Sequence, residues 1–447
     1  MGARHPRTAI GRVGSGLRGG PPKSDPGVID RTSREGREKV FNHARLRGLG
    51  FQWGFVSQGF SSATNLGLSL LAARSLGSSG LGVVAIGFST YLMALSFERA
   101  LLTEPMVALS SDLPLPRRAR VTEEMFGLVL IGSLAASGGT AVAGVFAGGG
   151  LGRGLLIIAP WLPALLIQDF WRTVLFRDGR PRAAALNDAT WLIAMAAVAP
   201  LAWEIHSAWA VVGCWAFGGA FGTLLGFGQT RCLPRRPVKT IKWWRAKMWP
   251  LARWLGTTSV VYWTSSYSTV LILVSLVGTG GLGGYRAVST IFAPLTLVSA
   301  AVSLPGLPAI SRALVSSRGA AVALSTRLGL LSLAITATYV GTLSVGSGSV
   351  VPRIFGRSFQ QFEYLIWPIG VGQLVSAITV GFTLLLIAEG RGSAYLVCTV
   401  VGSAVSPTLV YVLGDLYGLK GAAWAMSGSA VLGSVLLVLL GTRSPKH

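Results

Sequence analysis

Acidic residues are scarce in this chain: 16 Asp and Glu stand against 39 Lys and Arg, and charges of both signs make up only 12% of 447 residues. An ordinary soluble domain carries about 25% charged residues. A soluble globule of this length would need a charged surface that this sequence cannot supply, so the missing solvent is lipid. Histidine is scarcer still. His5 and His43 lie in an amino-terminal tail, His206 in a short separator and His447 at the end, which leaves hydrolytic and zinc chemistry almost no raw material. Cys214, Cys232 and Cys398 show no CxxC spacing, so neither a disulfide framework nor a metal site follows. A G-x-x-x-x-G-K-[ST] phosphate loop is missing, which excludes ATP hydrolysis by that route. No enzyme activity, catalytic residue, cofactor or metal is expected, and a coupling cation is left unspecified.

What is present is apolar. Hydrophobic residues make up 51% of the chain and the mean hydropathy is +0.58. A crossing helix needs about 20 residues, and on that ruler helices fall near 51–73, 81–103, 125–147, 154–176, 184–203 and 207–229. Six more fall near 250–276, 284–307, 327–347, 363–388, 394–413 and 419–441. The expected fold class is all-α: a polytopic membrane protein of about 12 transmembrane helices. Residues 1–48, rich in Gly, Pro and Arg, have no apolar run that could serve as a secretory leader and read as a disordered basic cytoplasmic tail.

The formal net charge of +23 would suggest nucleic acid in a soluble protein. Here the basic residues fall in the tail and in every second separator, as topology signals and contacts to anionic lipids. Arg117, Arg118 and Arg120 follow the second helix, Arg177, Arg180 and Arg182 the fourth, Lys239, Lys242 and Arg245 the sixth, and Arg312, Arg318 and Arg327 the eighth. Both termini are therefore expected in the cytoplasm, with the chain in the cytoplasmic membrane as a monomer. One outer loop breaks the rule: 353–359, with Arg353 and Arg357, reads as a short amphipathic surface helix.

The two halves echo each other. Ser75–Gly82 resembles Ser275–Gly283, Asp178-Gly179-Arg180 matches Glu389-Gly390-Arg391, and Ala208-Trp209-Ala210 matches Ala423-Trp424-Ala425. An even number of helices per half gives a parallel repeat. The domains expected are a six-helix lobe at 49–230, a basic linker at 231–248, a second six-helix lobe at 249–441 related by a pseudo-two-fold axis, and a cytoplasmic end at 442–447.

Four motifs resemble those of a known family. Ala73-Arg74-Ser75-Leu76-Gly77 with Gly80, Ile354-Phe355-Gly356-Arg357-Ser358-Phe359, Ala388-Glu389-Gly390-Arg391 and Tyr417–Ala425 are similar to elements of the multidrug/oligosaccharidyl-lipid/polysaccharide (MOP) flippase superfamily. The resemblance is to its bacterial O-antigen and exopolysaccharide branch. It implies translocation of a polyprenyl-diphosphate-linked oligosaccharide by alternating access. The alternative is a cation-coupled multidrug exporter of the same fold; a membrane glycosyltransferase ranks last for want of a large outer loop. Members often carry basic residues inside the first helix to meet the diphosphate. Phe51–Ala73 has none, so that role falls to other residues.

Charges inside a membrane are costly and face a bundle interior or a wet cavity. Glu98, Arg99, Asp169, Arg172, Asp188 and Arg253 all fall toward the cytoplasmic helix ends, as a candidate cavity rim. Arg99, Arg172 and Arg253 would receive a diphosphate through the guanidinium fork. Asp169 and Arg172, three apart, could equally pair with each other. Arg74 and Arg286 fall near outer ends; Arg286 could line an outward-facing exit, but the favoured reading for both is a topology or interface role. The polar run from Gln52 to Asn65 could line a sugar path, but helix–helix glue is the favoured reading. The Tyr262–Tyr267 stretch offers aromatic faces and hydroxyls of the kind that hold sugar rings, while tryptophans such as Trp243, Trp244 and Trp249 read as interface anchors.

Overall fold

The computed structural model describes residues 26–111, 113–234 and 237–443. The chain separates into two units, Met1–Gln52 and Trp53–His447. Of the first, the backbone from Pro26 is helical, where the sequence reading expects disorder through residue 48. Asp30 and Arg34, like Glu35 and Lys39, are four apart and opposite in sign, a spacing that favours helix. Tail residues 1–25 lie outside the described residues.

The second unit carries the membrane helices, and among the described residues there is no strand. Ten stretches are long and apolar enough to cross a membrane. The first, Gln52–Ser110, has 59 residues, about 88 Å of helix against roughly 30 Å of hydrocarbon. It turns at Gly77 (φ 68°), so that residues 61–65 and 91–99 face one cavity. Gly392–Thr442 turns likewise at Gly418 and lays Gly402 against Gly433. Trp249–Ile291 turns at Gly278, and its short second arm is continued by Pro294–Ser316.

Counted this way, the described chain makes twelve passes. They are 53–76, 78–110, Leu115–Ala147, Gly149–Arg177, Pro181–Ile205, Ala208–Thr230, 249–277, 279–316, Arg318–Val345, Ile366–Ala388, 392–417 and 419–442. The third and ninth begin well before their expected starts at 125 and 327. The arginines that argued against helix there have partners: Arg118 Nε donates to Leu113 O (2.6 Å) and Arg318 Nε to Glu389 Oε1 (2.8 Å). The expected surface helix at 353–359 is split by Gly356 (φ 106°) into Ser347–Phe355 and a 3-10 stretch, Arg357–Leu365.

The repeat is visible in the contacts. A Cβ on Gly82 would sit 1.8 Å from Thr279 O, and one on Gly283 would sit 1.9 Å from Ser78 O. The exchange is reciprocal, as a two-fold relation requires, and it fixes the register Gly77 to Gly278. In the later passes, Arg180 N donates to Leu175 O (2.8 Å) around Gly179, and Arg391 N to Leu386 O (2.9 Å) around Gly390. Both glycines have φ 70°, a left-handed helix end that favours glycine. Each arginine then caps the end of a later pass: Arg180 Nη1 to Gln229 O (2.9 Å), Arg391 Nη1 to Leu440 O (2.8 Å). Gly222 packs on Asn187 as Gly433 packs on Cys398, in the same register. The Trp209/Trp424 echo is therefore one helical turn out: these contacts set Trp424 opposite Gly213.

Candidate functional site

The second pass carries the chemistry of the amino-terminal lobe. At Arg99–Thr103 its α-helix loosens into a π-turn, a feature frequent at functional sites. Arg99 faces a cavity of about 190 Å3 shared with Asn65, Tyr91, Asp169, Arg172 and Asp188. Its Nε donates to Asp169 Oδ2 (2.8 Å) and its Nη2 to Asp169 Oδ1 (2.5 Å). Arg172 Nε lies 3.0 Å from Asp188 Oδ2, and its Nη1 only 3.8 Å from Asp169. The helix-local pair expected between Asp169 and Arg172 is thus the weak contact, and the strong ones cross between passes.

Uncharged groups complete this network. Asp188 accepts from Ser57 Oγ and from Gln168 Nε2 (3.0 Å), and Asn187 Nδ2 donates to Gly222 O (2.6 Å). Two carboxylates and two guanidiniums balance, so the cluster is neutral as a whole. Asp169 and Asp188 are each nearly fully buried. Asp169 lies eight residues, about 12 Å, inside the end of its pass at Arg177, deeper than a cavity rim. Gln168, Asn187, Tyr91 and Trp191 were not picked out from the sequence. The signal was there, because an amide precedes an aspartate twice inside apolar runs.

Glu98 faces the other way. It is buried, neither oxygen has a hydrogen-bond partner, and it lines an apolar cavity of about 690 Å3 with Phe97, Trp244 and Tyr267. Trp244 Nε1 donates to Leu101 O (2.9 Å). Arg253 is exposed, its guanidinium 5.5 Å from the Trp254 ring, and is not among the residues around the charged cavity. Arg74 donates to Ile354 O (2.8 Å) and Arg353 O (2.6 Å). It caps the Ser347–Phe355 helix and ties the first pass to the other lobe.

The lobes meet along a seam of the second and seventh passes. Gly256 abuts Leu101, Ser96 Oγ is 3.4 Å from Ser259 Oγ, and Thr90 Oγ1 is 2.9 Å from Tyr267 OH. Arg286, of the eighth pass, lies across this seam with its guanidinium 4.5 Å from the Phe88 ring centroid. It stands eight residues, about 12 Å, in from the turn at Gly278, approaching the membrane centre. Among the described residues its side chain has no carboxylate and no hydrogen-bond partner. The structure thus groups Arg99, Arg172, Asp169 and Asp188 in one lobe and sets Arg286 apart between the lobes.

The lipid II flippase MurJ in an inward closed conformation superposes with a TM-score of 0.71 at 15% identity, over 88% of each chain. An inward-facing multidrug resistance MATE family transporter of the MOP superfamily follows at 0.58 and 14%, over 86% of this chain and 93% of its own. The fold is that of the MOP transporters. A MOP superfamily transporter from Pyrococcus furiosus, whose binding pocket is described as reversed in polarity, shares it at 0.50 and 12%, over 89% and 94%. No protein-family model matches the sequence, and no curated protein matches it.

Proposed function

We propose that this chain is a flippase for a polyprenyl-diphosphate-linked oligosaccharide, a polysaccharide precursor, moved across the cytoplasmic membrane by alternating access of the two lobes. One observation carries the reading: Arg286, about 12 Å along its helix from the Gly278 turn, lies between the lobes against Phe88, and among the described residues it has no counter-charge. A lone arginine at mid-membrane costs at least ~2.5 kcal/mol, and an anionic cargo between the lobes offsets that cost. The guanidinium fork matches the oxygens of a diphosphate. The other deep arginines, Arg99 and Arg172, are neutralised by aspartates and hold the amino-terminal lobe together. The likeness to MurJ, a lipid II flippase by name, supports this choice of cargo.

In this reading residues 49–230 and 249–441 are the moving lobes, 231–248 joins them on the cytoplasmic side, and both termini are cytoplasmic. The chain works as a monomer and as a carrier, making and breaking no covalent bond. Direct binding tests it: purified protein should bind the lipid-linked oligosaccharide at least tenfold more tightly than Arg286→Ala does. Equal binding by the two would remove Arg286 from the cargo path.

A specific observation also favours the multidrug exporter. Glu98 is an unpartnered buried carboxylate in an aromatic-lined apolar cavity, and a lipophilic organic cation fits such a site. Drug efflux that Glu98→Gln abolishes, with no effect of Arg286→Ala, would replace the flippase reading with this one.

A further inference from the structure

The repeat places a second cavity in the carboxy-terminal lobe, at positions equivalent to the charged cavity of the first. In the register that aligns Gly77 with Gly278, Ser61, Thr64 and Asn65 correspond to Tyr262, Ser265 and Ser266. The first three face the amino-terminal cavity and the second three face its counterpart. In the register that aligns Arg180 with Arg391, Arg172 corresponds to Thr383, Asp188 to Thr399 and Trp191 to Gly402. These too are lining residues of the two cavities. The two equivalent chambers thus carry different chemistries.

The substitutions run in one direction. Both charges of the Arg172–Asp188 pair are replaced by threonines, and the indole of Trp191 is replaced by the hydrogen of Gly402. The carboxy-terminal cavity is correspondingly larger, about 580 Å3 against about 190 Å3. Among the described residues no Asp, Glu, Lys, Arg or His lines it. Its polar groups are hydroxyls in two states. Ser265 donates to Ser403 O (2.5 Å), Thr383 to Thr379 O (3.1 Å) and Thr399 to Tyr395 O (3.0 Å), as Ser376 does to Gly372 O and Ser429 to Met426 O (both 2.8 Å), so these five offer lone pairs. Ser266, Ser403, Ser406 and Ser434 also line the cavity, and none makes a side-chain hydrogen bond among the described residues, so they remain free to donate or accept.

A charged ligand would find no counter-ion here, and an apolar one would strand the hydroxyls. A ligand that carries many hydroxyls and no charge matches both states, and the rings of Tyr262 and Tyr395 offer flat faces to its C–H groups. We infer that the carboxy-terminal cavity between the seventh, tenth, eleventh and twelfth passes is a binding site for uncharged sugar residues. It rests on the flippase reading and deepens it: Arg286 takes the diphosphate, and this cavity takes the neutral part of the glycan.

Gly402→Trp restores the indole of the other lobe and fills the cavity. A Cβ at Gly402 has room, its nearest neighbour being Gly433 Cα at 3.7 Å. The measurement is equilibrium binding to purified protein of three radiolabelled lipids: polyprenyl diphosphate alone, the same lipid bearing a neutral trisaccharide, and one bearing a trisaccharide of uronic acids. The native protein should bind the neutral glycolipid about tenfold more tightly than the bare diphosphate, the effect of two or three net hydrogen bonds, and should show no such gain for the uronic acids. Gly402→Trp should bring the neutral glycolipid down to the bare lipid's affinity and leave the bare lipid unchanged. Should that variant misfold, Thr399→Val with Ser434→Ala removes two hydroxyls at nearly constant shape, and the same gain should shrink several-fold. Equal binding of bare and neutral lipids by the native protein overturns the sugar site while leaving Arg286 in place, as does a gain that both variants retain. Failure of the native protein to bind any of the three overturns the flippase reading and this site with it.

Discussion

Arg99 holds Asp169 with two parallel hydrogen bonds that bridge the second and fourth passes, 2.8 and 2.5 Å long. Its neighbour pair, Arg172 with Asp188, is more deeply enclosed: the Arg172 side chain is 16% exposed against 38% for Arg99. Removing one partner of a buried pair leaves an uncompensated charge and costs about 3–5 kcal/mol; among the described residues Asp188 loses its only arginine with Arg172, whereas Asp169 keeps Arg172 at 3.8 Å when Arg99 is lost. Arg172→Ala should therefore lower the melting temperature in detergent markedly, and Arg99→Ala should lower it less. Equal losses would mean that both pairs are equally dry.

The reciprocal packing of Gly82 and Gly283 closes one end of the molecule, and neither position has room for a methyl group while it is closed. Gly82→Ala and Gly283→Ala should each open that end. A cysteine placed at Ser79, beside the contact, should label faster in both variants, to a similar extent because the two sites are repeat-related. Unchanged labelling would mean that the helices shift to admit the methyl without opening.

Native cysteines should not complicate such labelling. All three are buried, and for Cys232, beyond the end of the sixth pass, burial pushes the thiol up to about 12. A thiol pKa raised this far leaves almost no thiolate at pH 8. The folded native protein should resist maleimide at pH 8 and react only on unfolding. Labelling of Cys232 in the folded protein would show that this corner opens.

Orientation rests on the basic separators. A cysteine at Lys239 should react with an impermeant reagent only after cells are opened, and one at His206, exposed at a turn, should react in intact cells. The opposite pattern would invert the protein in the membrane.

Much of the fold was legible because lipid imposes a length rule and a polarity rule on every pass. The glycine turns at Gly77 and Gly278 and the Gly-Arg corners at 179–180 and 390–391 were visible as sequence echoes, because a left-handed turn and a tight crossing tolerate few other residues. Helix ends were less legible. Arg118 and Arg318 read as loop residues until their carbonyl and carboxylate partners were known. The pairing of the charges was hidden for the same reason: Asp169 is three residues from Arg172, but its strong bonds are to Arg99, 70 residues away, and sequence spacing cannot express that. Arg286 read as an outer-end residue because its pass was placed at 284–307, whereas the helix begins at the Gly278 turn.

In the flippase reading, Arg286 meets the diphosphate of a lipid-linked oligosaccharide during its transfer between leaflets. Its most direct test is translocation in vesicles reconstituted with purified protein, scored by the access of an impermeant glycan-cleaving enzyme to the labelled lipid. Losing a charge-assisted hydrogen bond costs about 1.5–3 kcal/mol, so Arg286→Ala should be ten- to a hundredfold slower. Arg286→Lys should recover part of the rate, since the charge stays but the fork is lost. A correctly folded Arg286→Ala protein that moves the lipid at the native rate would contradict the account.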